Sequence, residues 1–140
     1  MNTEEKNQVI PNEIAIQELF AFKKKHNKGI TLEDVENSTA ILDAIQDGRL
    51  SGLDGTPKYT LEEKILNDEG GVFLEEIVFD KTRIKPTQLA ALANGIDMQK
   101  NSYGFSLKCM AFLIGQPVAI LDKLSKEDFK FVQDFTQSFM

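Results

Sequence analysis

The chain has 140 residues, 41% hydrophobic and 27% charged, the makeup of one soluble globular domain with a core of its own. Twenty-two acidic residues against 16 basic ones leave a formal net charge of −6, which speaks against the basic footprint of a nucleic-acid-binding protein. A single cysteine, Cys109, excludes an internal disulfide and suits a reducing cytoplasm, and no apolar run approaches the roughly 18 residues of a membrane span.

Residues 1–8, MNTEEKNQ, read as a polar arm without the basic start and apolar centre of a signal peptide. Asn12 is a suitable N-cap for a helix over about 13–26, with Ile16, Leu19 and Phe20 on one side and Ile14 and Phe22 widening that face. Glu13 and Glu18 lie early, and Lys23, Lys24, Lys25 and His26 lie late, an order that complements the helix dipole. Thr31-Leu32-Glu33-Asp34 reads as a second cap. The helix it opens runs, whole or broken, to about residue 46 through Leu32, Val35, Ile41, Leu42 and Ile45, with Ser38 placed to restart it. Gly48 suits its stop, and Gly52, Asp54, Gly55 and Pro57 mark the best internal boundary in the chain.

From residue 58 the period changes. Tyr59, Leu61 and Ile65 point one way, Thr60, Glu62 and Lys64 the other, while Glu63 interrupts the apolar face. Asn67-Asp68-Glu69-Gly70-Gly71 is a strong turn, and the next run, VFLEEIVF, is rich in strand formers. Together they predict an antiparallel hairpin of 59–66 with 72–79, in which the Glu75-Glu76 pair marks a bulge or an exposed edge. Two strands alone are marginal in water, so they must pack on helices or on a second copy's sheet, and the outer edge makes a homo-oligomer an expectation. A short helix follows from Lys85, Pro86 or Thr87 to about Asn94 with Leu89, Leu92 and Ala93 on one stripe, then an irregular connector over 96–104.

The densest apolar run lies at the C-terminal end. Leu107, Met110, Ala111 and Ile114 keep the spacing of one helix face, broadened by Phe112 and Leu113. Gly115 suits its stop and Pro117 the first turn of a short helix to about residue 123. Ser125 to Asp128 is similar to a capping box with Asp for Glu, between Leu124 and Phe129 at the staple positions. In the last helix, Phe129, Val132, Phe135 or Thr136, and Phe139 follow on one side, with Phe129 and Val132 assigned to the core, and Phe131 and Phe135 lie on a neighbouring stripe. The expected fold is α+β: N-terminal helices, a β-hairpin and a C-terminal helical unit.

Gly115-x-Pro117-Val118, then Leu121-x-x-Leu124-Ser125-x-x-Asp128-Phe129, then Val132 and Phe139, resembles the C-terminal half of the phage tail assembly chaperones of Mu-like and related long-tailed phages. The resemblance covers about residues 57–140, leaving 1–56 as an N-terminal helical region outside it. It implies a non-enzymatic chaperone of the host cytoplasm. Such a protein binds the long, aggregation-prone tape measure protein until tail tube protein polymerises around it, and takes no cofactor. The alternative is a small structural component of the phage tail or baseplate, motivated by the unmatched first 56 residues.

The residues offer little to an enzymatic reading. His26, the one histidine, stands among lysines, and Cys109 lies in an apolar helix as a packed thiol. A calcium loop starting at Asp68 would need its closing acid where Phe79 stands. Gly48, Gly52 and Gly55 lack the Gly-Lys-Ser/Thr ending of a phosphate loop. The one feature in excess is aromatic. Two phenylalanine stripes on a helix of about four turns exceed what a small core needs, so Phe131 and Phe135 are expected to be the most exposed rings and to bind the partner.

Overall fold

The computed structural model describes residues 10–81 and 83–139; the polar arm read over 1–8 lies outside them. The fold is α+β. Helix α1 (Asn12–His26) is followed by a short α2 (Leu32–Glu36) and by α3 (Thr39–Gln46). Strands β1 (Leu50–Ser51), β2 (Lys58–Leu66) and β3 (Val72–Val78) form an antiparallel sheet in that order. Helices α4 (Pro86–Ala93), α5 (Ser102–Ile114), α6 (Val118–Leu121) and α7 (Lys126–Thr136) complete the chain, with a final 3-10 turn at Gln137–Phe139.

Local chemistry sets most of these limits. Thr31 makes a full capping box: its hydroxyl accepts from Asp34 N, and the Asp34 carboxylate accepts from Thr31 N. Ser38 stands at the start of α3 without capping it, because its hydroxyl donates to the Asp34 carbonyl and accepts from Lys23 Nζ. Asn12 is the first helical residue of α1 and Pro11 the cap position, without a side-chain bond. Asn101 caps α5 by accepting from Gly104 N, so the connector expected through 104 is shorter and Gly104 is helical. Gly115 ends α5 at φ 69°, the left-handed region that a side chain would strain. Pro117 caps α6 rather than sitting inside it.

The hairpin carries a third strand that the sequence reading did not include. Leu50 pairs with Tyr59 and Ser51 with Lys58. Gly52 makes this return possible at φ 76°, where a Cβ would overlap the Thr56 carbonyl. The boundary expected around residues 48–57 therefore lies inside one continuous core, which joins Leu19 and Phe22 of α1 and Ile41 and Ile45 of α3 to Tyr59, Ile77, Leu113 and Phe135. Pairing of β2 with β3 is in step from Lys58↔Val78 to Thr60↔Glu76, then slips, resuming at Ile65↔Leu74 and Leu66↔Val72. The irregularity falls on residues 61–64 of β2, around Glu63, and again at Phe73 of β3.

Candidate partner-binding site

The orientation of helix α7 decides which of its faces is open. Ser125 accepts from Asp128 N at 3.1 Å, the expected N-cap. The Asp128 side chain does not complete a capping box. It is fully buried and crosses to the irregular part of β2. Its Oδ1 accepts from Tyr59 Oη at 2.7 Å and from Glu62 N at 2.9 Å, and its Oδ2 accepts from Glu63 N at 3.1 Å. The bulge turns two amides out of the ladder, and the carboxylate takes them up; each explains the other.

With Asp128 inward, the core face of α7 runs through Asp128, Phe131, Val132, Phe135 and Thr136. Phe131 and Phe135, expected to be the most exposed rings of this helix, are 2% and 0% exposed. Phe131 stacks on Tyr59 with ring centroids 3.8 Å apart, Phe135 stacks on Phe131 at 5.3 Å, and Phe22 of α1 stacks on Phe135 at 5.4 Å. Phe79 and Phe139 close the cluster edge-on against Phe135. Val132 is core as expected, whereas Phe129 is only partly buried. A partner-binding role read from the exposure of Phe131 and Phe135 has no surface to act through. The aromatic excess is absorbed by one extended stack joining α1, β2 and α7.

The rim of this network is polar. Arg49 Nη1 donates to Tyr59 Oη at 2.8 Å, and its Nη2 to Asp47 at 3.0 Å. Burial, then the bond to the Asp128 carboxylate, push the Tyr59 phenol far above its ordinary range, so it remains a donor. A cleft of about 440 Å³ opens here between Asp43, Asp47, Arg49, Glu62, Glu127 and Lys130. It holds no nucleophile paired with a base: Asp128 and Tyr59 are committed to each other, and Cys109 is buried elsewhere, its thiol pushed up by that burial. Among the described residues no three His, Cys, Asp or Glu side chains gather as a metal site, and no helix is long and apolar enough to cross a membrane.

One open apolar surface lies at helix α4. No side chain of helix α4 is fully buried: Leu92 packs partly against the core, and Leu89 is 38% exposed. Between α4, α5 and α6 runs a groove of about 330 Å³ whose apolar lining is Ala91, Leu92, Ala111, Phe112, Pro117 and Val118. Val118 is 39% exposed. The short stripe Leu89, Leu92 and Ala93 signalled α4 as a helix, but nothing in its pattern distinguished a face against the core from one left open.

No family model matches the chain, and no curated protein or solved structure is similar to it.

Proposed function

We propose that this protein is a non-enzymatic phage tail assembly chaperone that binds the tape measure protein in the host cytoplasm and holds it soluble until tail tube protein takes over. The observation that carries the reading is the apolar groove of Ala91, Leu92, Phe112 and Val118, inside the part of the chain that resembles that family. Helix α4 packs Leu92 partly against the core and leaves Leu89 and Ala91 in water, where a partner could cover them. A shallow groove gives many modest contacts and no deep pocket, which suits a grip that must later be released.

Co-expression with a tape measure protein tests this, reading the soluble fraction of that protein. Ala91→Glu with Val118→Glu changes two exposed positions, so stability should move by no more than about 0.5 kcal/mol each. The variant should fold and fail to keep the partner soluble. Full retention of solubility by a folded double variant would remove the groove from the binding site, and parent protein that never holds the partner would remove the function.

A further inference from the structure

The hairpin has a surface that the groove does not explain. Between Lys58 and Asp80 stand seven carboxylates (Glu62, Glu63, Asp68, Glu69, Glu75, Glu76, Asp80) and two lysines, a net charge of −5 out of −6 for the whole chain. Four of the ten large apolar side chains exposed among the described residues lie here too: Leu66, Val72, Phe73 and Val78, the last three on β3. Strand β3 is the outer strand of the sheet, paired on one side with β2. An outer strand presents N–H and C=O groups along its free side.

We propose that the free edge of β3 takes up an extended polypeptide segment in which lysine or arginine alternates with apolar residues. The segment adds as a fourth strand. Its main-chain groups bond to the edge, and because neighbouring residues of a strand face opposite ways, its cations lie on the face of Glu75 and its apolar side chains on the face of Val78. Charge selects this occupant over the others. A second copy paired antiparallel over the full strand, Val72 opposite Val78, would set Glu75 directly opposite the second copy's Glu75, and like charges directly opposite are destabilising. Nucleic acid is repelled by the same field. The inference does not depend on what fills the apolar groove.

The test uses the full chain and a labelled peptide of about six residues, the usual strand length, with Lys and Val alternating. Fluorescence anisotropy should show it binding, while a Glu-Val peptide of equal length does not. Raising the salt to about 1 M, where the Debye length falls to about 3 Å, should weaken binding at least tenfold. A Lys-Val peptide with N-methylated backbone amides should not bind, because it cannot join the edge. Glu75→Lys with Glu76→Lys should exchange the preference, taking the Glu-Val peptide instead. Equal binding of the N-methylated peptide would reduce the effect to unspecific charge and overturn the proposal, as would equal binding of the two charge types by the parent chain. No binding by the parent would make the glutamates a guard against pairing. A light-scattering mass of a dimer that the Lys-Val peptide does not dissociate would give the edge to a second copy. The parent measurements decide the question even if the double variant does not fold.

Discussion

Asp128→Asn changes one atom and should weaken the fold markedly. The carboxylate accepts three hydrogen bonds, and the amide can accept on one atom only. The better orientation keeps the oxygen on Tyr59 Oη and Glu62 N and turns the NH2 towards Glu63 N, two donors facing at the present 3.1 Å. An orphaned amide costs about 1–3 kcal/mol, and the two surviving bonds lose their charge assistance. The sum is about 2–4 kcal/mol, a large part of the roughly 5–15 kcal/mol that holds a domain together. Urea denaturation measures it: with a slope of about 2 kcal/mol per molar, the midpoint should fall by about 1–2 M at unchanged slope. In a thermal melt the loss is roughly 3–4 °C per kcal/mol. A midpoint within about 0.5 kcal/mol of the parent would show that Asp128 is not the clamp between α7 and β2.

Other outcomes follow from the same geometry. Phe131→Ser with Phe135→Ser should unfold the chain, since truncating one buried Phe costs about 3–5 kcal/mol; a native far-UV spectrum and melting temperature would place these rings outside the core. Ser125→Ala should cost about 1 kcal/mol by loss of the cap, read from the urea midpoint. Because the folded-state pKa of Tyr59 is raised, its contribution is fully present below the phenol's ordinary pKa of about 10 and is lost as pH climbs above it. Stability measured against pH in Tyr59→Phe should be lower at neutral pH and fall less steeply at alkaline pH. Parallel curves would refute that role.

Much of the architecture was legible in local patterns. The caps at Thr31 and Ser125, the stops at Gly48 and Gly115 and the change of period at residue 58 each act within a few residues, where a side chain meets its own backbone. Those contacts exist wherever the segment goes, so helices, hairpin and the α+β class follow from sequence order. Strand β1 did not, because two residues carry no period and Leu50-Ser51 becomes a strand only when β2 lies beside it.

The face of α7 was the decisive matter that only tertiary structure settled. By polarity alone Asp128 belongs outside, and placing it there rotates Phe131 and Phe135 towards solvent. Burying an unpaired carboxylate is prohibitively costly, so sequence reasoning has no ground to put one in a core. The bulge at residues 61–64 removes that cost by presenting two free amides, with the Tyr59 hydroxyl beside them. The donors lie 65 to 69 residues away along the chain. Periodicity within α7 could not report them, and they fix which phenylalanines are core.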